Sequence, residues 1–431
     1  MGSMLSRSVL AAAVFLGASA VAQAQYTITV DPKRPSTASA SLDLTTSRGT
    51  ERTLIVRGVD WGLRSQVTDP RCGTQPLATA GPAMWKVPPD CTKASWTVRF
   101  VTAQPGQVEA SEQKSVYFPT GPWWLLSDPT SLLRLQGDEA PSTLAIVFSG
   151  TPMPQLGATA IDNGRWRVPS LNNAPEFYVF GNLKSVEHDV DGFLVRHVAD
   201  NIDRVQRLGL VRAQEDAWRY LSAIMPPPAD TRPQDRQLLI VWLGVRDRKM
   251  AGGAAGSRSF VANYFEQSEP LPQALTLSIL AHEQQHQLVD LVRGNRPPLP
   301  VWVGESLAQY YGLKALAQSG LDMKAIAEVR DRYVDAARPV TAGLIEWQRR
   351  HDKGDPAAYP LFYRQGATFW ALLDAAVQKA RANAQSLDTF MPQLLTAEFG
   401  ADGQLPHAFV VRLRSVAGPS IDDILAKYVG P

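Results

Sequence analysis

The sequence contains few cysteines, few histidines and little excess charge of either sign. Of its 431 residues, two are cysteine and six are histidine, and 43 lysine and arginine residues nearly balance 41 aspartate and glutamate residues. A net charge of +2 argues against a protein that binds nucleic acid or a membrane surface through its charge. Two cysteines are too few for a cysteine zinc site. The sequence shows no internal repeat or low-complexity segment.

Long apolar runs are also missing after the N-terminus. Arg7 precedes an apolar run at residues 9–20, which a small-x-small pattern at residues 22–24 follows. This arrangement is typical of a signal peptide, and the run is too short to span a membrane. No cysteine stands at the cleavage point for lipid attachment. We predict a signal peptide at residues 1–24, with a cloning scar at residues 1–3, and an exported protein, periplasmic or secreted, without a membrane span.

The two cysteines, Cys72 and Cys91, form an even pair in a protein that we expect to be exported. Such a pair most often forms a disulfide. Closing a loop of this size contributes about 3 kcal/mol in the chain-entropy model. The alternative is a pair of buried free thiols.

The first part of the mature chain consists of short segments rich in β-branched and aromatic residues. Examples are Tyr26–Val30, Thr53–Val56, Ser95–Phe100 and Leu144–Phe148, and Gly, Pro and Asp separate them. Short alternating runs with turn residues between them are typical of a β-sandwich. We predict an N-terminal β-sandwich domain at residues 25–185.

Longer helical patterns begin at about residue 200. The apolar strand Leu238–Leu243 and a second segment at Ser257–Phe265 interrupt them, and helices such as Ala367–Ala382 follow. Helices mixed with a few strands indicate an α+β domain, which we place at residues 186–431 with a helical C-terminal part. The predicted fold class of the whole chain is therefore multidomain α+β.

Two histidines four residues apart stand in the segment His282-Glu283-Gln284-Gln285-His286. A helix is predicted at Pro272–Val292, and Gly294 would end it. At 3.6 residues per turn, the two imidazoles lie one above the other and can reach one metal ion. This spacing, with a glutamate after the first histidine, is typical of a zinc peptidase helix. The alternative is an amphipathic helix whose polar residues match by chance.

A third metal ligand is available in Glu305, with eighteen residues between it and His286. It stands near the start of a second helical pattern, in the context Gly304-Glu305-Ser306. Taken alone, Glu305 would be an ordinary glutamate near a helix N-terminus, where the helix dipole favours negative charge.

Together, the helix motif, the spacing and the context of Glu305 resemble the gluzincin metallopeptidases. The resemblance is to the glycyl aminopeptidase family and to catalytic domains of the membrane alanyl aminopeptidase type. It implies a thermolysin-like catalytic domain in which His282, His286 and Glu305 hold one Zn²⁺ and Glu283 acts as general base. An N-terminal β domain agrees with the resemblance.

Two further segments resemble the same families. Tyr363-Arg364-Gln365-Gly366-Ala367 is similar to a Tyr-x-Lys-Gly-Ala segment whose tyrosine stabilises the oxyanion, although Tyr359, Tyr310 and Tyr311 are competing candidates for that role. Upstream, the residues Gly252, Gly253, Ala254 and Ala255 are similar to an edge strand that pairs with the substrate backbone. The alternative for this second segment is a flexible glycine loop.

Ala255 departs from the pattern of these families. A glutamate at this place pairs with the free amino group of the substrate in the relatives. A buried ammonium group without a partner is costly, so the usual means of selecting a free N-terminus is missing. Aminopeptidase and endopeptidase activity therefore both stay open.

The chemistry of the predicted ligands indicates catalysis. Two imidazoles and one carboxylate leave one coordination position for water, as in catalytic rather than structural zinc sites. Bound zinc lowers the pKa of water and polarises a carbonyl. The predicted function is a zinc metallopeptidase that hydrolyses peptides or proteins. The alternatives are a catalytically inactive relative that binds peptides, and a hydrolase of a non-peptide amide.

Overall fold

A computed structural model describes residues 25–45, 51–162, 164–247, 250 and 252–430 of the chain. The predicted signal peptide lies outside these residues. Within them the protein has four β-sheets and eleven α-helices, which makes the fold a mixed α+β fold.

Residues 25–181 form three of the sheets. Their strands are β1 Gln25–Val30, β2 Thr37–Asp43, β3 Arg52–Ile55, β4 Val67–Cys72, β5 Gln75–Pro76, β6 Ala78–Gly81, β7 Met84–Val87, β8 Lys93–Arg99, β9 Val101–Thr102, β10 Val116–Phe118, β11 Trp123–Ser127, β12 Arg134–Leu135, β13 Ser142–Phe148, β14 Gln155–Gly157, β15 Ala160–Asp162, β16 Arg165–Val168 and β17 Phe177–Gly181. The strand orders are β15-β16-β13-β1-β2-β8-β4-β5, β14-β17-β11-β10-β9 and β12-β3-β7-β6. A short helix, α1, spans Asp128–Ser131.

Strand β1 shows why these segments form sheets. Tyr26, Ile28 and Val30 alternate with more exposed residues and are buried in the core. A strand points successive side chains to opposite faces, so this alternation buries one face of the sheet. β1 pairs in parallel with β13 and antiparallel with β2.

The fourth sheet lies between the β-rich part and most of the helices. Its strands are β18 Ser185–Val190, β19 Phe193–Ala199, β20 Gln237–Val245, β21 Gly253–Ala255 and β22 Ser259–Phe265, in the order β18-β19-β20-β22-β21. The central strands β19, β20 and β22 run parallel to one another, and β21 is an antiparallel edge strand. The buried strand β20 is almost entirely apolar, as expected for a parallel strand covered on both faces.

The remaining helices follow or interrupt this sheet. They are α2 Ile202–Arg207, α3 Leu210–Ile224, α4 Pro270–Arg293, α5 Val301–Gln318, α6 Met323–Tyr333, α7 Leu344–Asp352, α8 Tyr359–Ala380, α9 Met391–Thr396, α10 His407–Ala417 and α11 Ser420–Tyr428. No described helix combines the length and the apolar character needed to cross a membrane.

Three hydrophobic cores hold the fold together. One lies among the sheets of the β-rich part, and the largest lies between the fourth sheet and the helices. A third core joins the two, since Val116, Leu125 and Val179 pack with Leu239 and Val241 of β20. The fourth sheet is therefore covered by the β-rich part on one face and by helices, among them α4, on the other.

The predicted elements agree with the structure in type and differ at their ends. The helix predicted at Pro272–Val292 is α4, Pro270–Arg293, and Gly294 ends it as predicted. The helix predicted at Ala367–Ala382 starts eight residues earlier, at Tyr359, so Tyr363 lies inside α8. The segment Ser257–Phe265 is a strand only from Ser259, because residues 256–259 form the turn before it. The β-sandwich and the domain limits at residues 185 and 186 stay predictions.

A disulfide joins Cys72 and Cys91, as predicted from their even number. It connects the end of β4 to the segment before β8, two strands that also pair directly. The bond is consistent with an oxidising compartment.

Candidate metal centre

The two histidines of the sequence motif lie on α4, the longest helix described. Pro270 begins the helix, where its missing N–H costs nothing, and Gly294 ends it with φ +57°. His282 is 5% exposed. The Nε2 atoms of His282 and His286 lie 3.2 Å apart, as expected for two side chains one turn apart that point to the same place.

Glu305 on α5 faces both histidines. Its Oε2 atom is 3.3 Å from Nε2 of His282 and 3.6 Å from Nε2 of His286. These three ligand atoms all lie within 4.8 Å of one another. Zinc ligands at about 2.0–2.1 Å from the ion in a tetrahedral arrangement stand about 3.3 Å from each other. The spacing and the donor set, two imidazoles and one carboxylate, therefore fit a catalytic zinc site.

Close helix packing brings Glu305 to the histidines. A methyl group at Gly312 of α5 would lie 2.9 Å from the backbone nitrogen of His282, which is too close for any side chain. A methyl group at Gly366 of α8 would lie 2.2 Å from Cβ of Ser306, the neighbour of Glu305. Both glycines thus let the helices approach at the level of the candidate ligands.

The charges of the three residues depend on one another. Burial disfavours an ionised Glu305, but hydrogen bonds from His282 and His286 outweigh it and hold the pKa of the carboxyl far below its usual range. Burial likewise disfavours a charged His286, and Glu305 overcomes this effect and raises the pKa of His286 to about 8. A metal that binds here has to displace that proton, because only the neutral imidazole is a ligand.

Two tyrosines of α8 reach the same cluster. The Tyr363 hydroxyl donates to the Tyr359 hydroxyl at 3.1 Å, and the Tyr359 hydroxyl donates to Oε1 of Glu305 at 3.0 Å. The Tyr363 ring stacks on His282, with ring centres 5.3 Å apart. Burial, and then the nearby Glu305 carboxylate, raises the pKa of each phenol, so both stay protonated hydrogen-bond donors.

The other two candidate tyrosines point elsewhere. Tyr310 donates to Asp374, and Tyr311 is completely buried in the helical core. Neither phenol takes part in the hydrogen bonds around Glu305. Of the four candidate tyrosines, Tyr363 and Tyr359 therefore lie beside the candidate ligands.

Glu283, the candidate general base, follows His282 on α4 and is half-buried. Among the hydrogen bonds and ion pairs of the described residues, none involves its carboxylate. A carboxylate that is not used by the fold is free to accept a proton.

Gly253, Ala254 and Ala255 of the glycine-rich segment form the edge strand β21, which lies beside α4, and Gly252 precedes the strand. Ala255 pairs with Phe260, and a methyl group at Gly253 would lie 2.6 Å from the Phe260 ring and 3.3 Å from Ile279 of α4. Gln287, the residue after His286, donates from Nε2 to the carbonyls of Gly256 and Ser259 at 2.9 and 3.1 Å. These two hydrogen bonds hold α4, which carries the candidate histidine ligands, against the hairpin of β21 and β22.

Sequence reasoning did not find a cleft that opens beside the candidate ligands. The cleft has a volume of about 670 Å³, and its wall includes His286, Glu305 and Arg258. Arg258 occupies the turn between β21 and β22, and no local pattern in Ser257-Arg258-Ser259 marks it as a cleft residue. The hydrogen bond from Tyr359 to Glu305 was also not foreseen, although the four-residue step from Tyr359 to Tyr363 could have suggested that they act together.

Comparisons with known proteins find likeness in structure and none in sequence. No protein-family model and no curated protein matches the chain. The structure is similar to a crystal structure of an aminopeptidase N family protein from Idiomarina loihiensis, with a TM-score of 0.65, 13% sequence identity, and coverage of 95% of this chain and 76% of that chain.

A second similar structure is that of a mutant M1 zinc metallopeptidase from Deinococcus radiodurans bound to a Tyr-Ser-Ala substrate. The TM-score is 0.46, the identity is 14%, and the match covers 94% of this chain and 93% of that chain. This second score is too low to support an argument. The first match shows that the chain has a fold of the aminopeptidase N type.

Proposed function

We propose that this protein is a zinc-dependent metallopeptidase that hydrolyses peptide bonds. The observation that carries the proposal is the convergence of His282, His286 and Glu305, whose ligand atoms lie within 4.8 Å of one another. The aminopeptidase N-type fold supports it. These three residues would hold one zinc ion, which when bound would polarise the substrate carbonyl and lower the pKa of water.

Two other side chains would carry the proton transfers and the charge stabilisation. Glu283, unpaired beside the ligands, would accept a proton from the attacking water and pass it to the leaving amine. Tyr363, stacked on His282, would donate a hydrogen bond to the developing oxyanion. Tyr359 would orient Glu305 through the hydrogen bond that it donates to Oε1.

The edge strand β21 would pair with the substrate backbone. An edge strand offers unpaired N–H and C=O groups that an extended peptide can use. Ala255, on this strand, has no charge with which to bind a free ammonium group. Digestion of matched peptides with free and acetylated N-termini tests the consequence, since an endopeptidase tolerates the acetyl group and an aminopeptidase does not.

The proposal is tested by peptide digestion and metal analysis of the purified protein. We expect about one zinc ion per chain, cleavage of library peptides that a chelator abolishes, and recovery when zinc is restored. In the Glu283→Gln variant we expect zinc to stay bound and cleavage to fall by about a hundredfold or more. Protein that takes up no zinc would contradict the proposal. Zinc binding without cleavage of any peptide would favour a peptide-binding relative or a hydrolase of another amide.

We further propose that the protein is exported and that residues 25–185 and 186–431 form its two domains. The disulfide between Cys72 and Cys91 supports export, because such bonds persist in oxidising compartments. Fractionation of cells that express the full sequence, with mass analysis of the mature N-terminus, tests cleavage after Ala24. Limited proteolysis near residue 185 tests the domain limit.

A further inference from the structure

A cleft of about 670 Å³ begins at the candidate metal ligands and extends along the end of α4. His286 and Glu305 form one part of its wall. The turn at residues 257–258 and the segment at residues 294–299 form other parts. The volume is within the range of sites that bind small molecules and short peptide segments. A substrate held at the metal ligands would therefore extend into this cleft.

The wall of the cleft carries more positive than negative groups. Its five arginines are Arg167, Arg232, Arg258, Arg293 and Arg296, and its three carboxylates are Asp235, Asp290 and Glu305. Asp235 accepts hydrogen bonds from Arg167 at 3.1 Å and from Arg232 at 2.8 Å. Glu305 faces the two histidines. Asp290 is then the single wall carboxylate left to offset the other three arginines.

Arg258 is the most unusual of the three. It is 8% exposed, and its Nη1 atom donates only to backbone carbonyls, those of Ser257 at 2.6 Å and Gln287 at 3.3 Å. Its Nε atom is buried without a hydrogen-bond partner. Within the described part of the chain no carboxylate forms an ion pair with it. The carboxylates of Asp290 and Glu176 lie near enough to favour its charge, but burial outweighs them and lowers the pKa of Arg258. The guanidinium is therefore only partly compensated, and an anion that enters the cleft would give it a direct partner.

Arg296 and Arg293 differ in how many hydrogen bonds their guanidinium groups make within the protein. Arg293 is buried and committed to the fold, since it donates to the carbonyls of Pro297, Leu395 and Ala397. Arg296 is exposed at the mouth of the cleft, and the one hydrogen bond that its guanidinium makes among the described residues goes to the Arg293 carbonyl at 3.3 Å. Arg258 in the wall and Arg296 at the mouth are therefore the two guanidinium groups available to a ligand.

From this arrangement we propose that the cleft binds a carboxylate of the peptide substrate, with Arg258 as the principal binding residue and Arg296 as an auxiliary one. The proposal rests on the proposed peptidase function and names the class of its substrates: peptides that carry an acidic group near the cleaved bond. A guanidinium binds a carboxylate through paired, charge-assisted hydrogen bonds, which a neutral amide cannot match. The carboxylate comes either from an Asp or Glu side chain or from the C-terminus of a short peptide.

A peptide series separates these two sources. The starting point is a neutral peptide amide that the full-length, zinc-loaded protein cleaves, and Glu is then placed at each position in turn, with Gln as the uncharged control. A second arm compares the same neutral peptide with a C-terminal carboxylate and with a C-terminal amide. We expect one position, or the C-terminal carboxylate, to raise kcat/KM by about tenfold over its neutral control.

Variants connect that preference to the cleft. In Arg258→Gln, kcat/KM for the acidic peptide should become equal to that for the neutral peptide. In Arg296→Gln, the ratio of the two kcat/KM values should fall about twofold to threefold, as expected for an exposed charge. Because Arg258→Gln can impair folding, Arg296→Gln serves as the second test. Arg52→Gln is the matched control, since Arg52 is equally buried, donates to the backbone carbonyls of Leu44 and Cys91, and lies in the β-rich part. It should leave the ratio unchanged.

Binding measurements keep this proposal separate from the peptidase proposal. An alanine-based peptide amide with one central Glu, or one central Gln, is titrated into the zinc-loaded Glu283→Gln protein, where no turnover is needed. Tighter binding of the Glu peptide that Arg258→Gln removes supports the cleft even if the wild-type protein cleaves nothing. Equal cleavage and equal binding of acidic and neutral peptides, or a preference that both arginine variants retain, would overturn the cleft proposal while leaving the peptidase proposal intact.

Discussion

Two buried ionic clusters, one in the β-rich part and one in the helical part, satisfy their charges differently. In the first, Nη1 of Arg134 donates to both carboxylate oxygens of Asp128, at 2.9 and 2.8 Å, and Nη2 donates to the Pro169 carbonyl. Both side chains are almost completely buried. In the second, one carboxylate, Glu305, faces two imidazole rings at 3.3 and 3.6 Å.

The difference lies in what each cluster leaves unused. The pair of Asp128 and Arg134 is complete within the chain, so it has no group to offer a ligand. In the helical cluster, Nδ1 of His282 has no hydrogen-bond partner, and two imidazole nitrogens stand 3.2 Å apart with at most one proton between them. A pair that is complete within the chain indicates a structural role, whereas donors that converge without completing one another indicate a ligand from outside.

The largest expected effect follows from removing one donor of the helical cluster. We expect His286→Ala to lower zinc content from about one ion per chain to near zero and kcat/KM by about a thousandfold or more, because the metal contributes several kcal/mol to transition-state stabilisation. Elemental analysis and peptide hydrolysis measure both quantities. The control is His407→Ala, which removes an exposed histidine on α10. Full zinc content in His286→Ala would contradict the claim that the helical cluster, unlike the pair of Asp128 and Arg134, binds a metal from outside the chain.

The next effect concerns the complete pair. Arg134→Met should lower the free energy of unfolding by up to about 3–5 kcal/mol, since it removes the closer partner of the buried Asp128 carboxylate and leaves only the ion pair with Arg57 at 3.6 Å. Zinc content per folded molecule should not change, because the pair lies among the sheets rather than at the metal ligands. Urea unfolding and elemental analysis test the two statements. A loss of zinc from folded Arg134→Met protein would mean that the two clusters are coupled.

A smaller effect distinguishes the two tyrosines beside Glu305. We expect Tyr363→Phe to lower kcat by about a hundredfold with zinc affinity unchanged, as for the loss of an oxyanion donor. Tyr359→Phe should instead weaken zinc binding by about tenfold, because Tyr359 donates to a candidate ligand. Steady-state kinetics and zinc titration of both variants check the assignment, and the opposite pattern would exchange the two roles.

The smallest effect is a pH dependence of the metal-free protein. The folded-state pKa of His286 is raised to about 8, above the usual value of 6.5, so its protonation stabilises the folded form fully below about pH 6.5 and this contribution disappears as the pH rises through 8. We expect the free energy of unfolding to fall by about 2 kcal/mol or less over that range. Unfolding curves at several pH values measure it. His286→Gln should lack this part of the pH dependence, and a rise in stability from pH 6.5 to 8 that depends on His286 would contradict the sign.

Much of the fold could be predicted from local patterns. The alternation at Tyr26, Ile28 and Val30 and the apolar run of β20 indicated strands that the structure contains. The start of α8 was predicted eight residues too late: the helix begins at Tyr359, with Pro360 in its first turn. Its first two turns contact α5, where Tyr359 donates to Glu305 and Gly366 lies against Ser306. The third core, which joins the two parts of the chain, brings residues as distant as Val116 and Val241 into one buried cluster, and no local pattern indicates that they pack together.

The candidate site divides in the same way. By itself, the sequence determined the spacing of His282 and His286, because a helix converts a four-residue step into a common direction, and it pointed to Glu305 through a resemblance. Only the tertiary structure decided that Tyr359 bonds Glu305, that Tyr310 and Tyr311 do not, and that Arg258 lines the cleft. These contacts join residues far apart in the chain. The one between Tyr359 and Glu305 depends on the close approach of the helices at Gly312 and Gly366, and the position of Arg258 depends on the packing of the β21–β22 turn beside α4. Local spacing carries information along one element, whereas the distances between elements are set by packing.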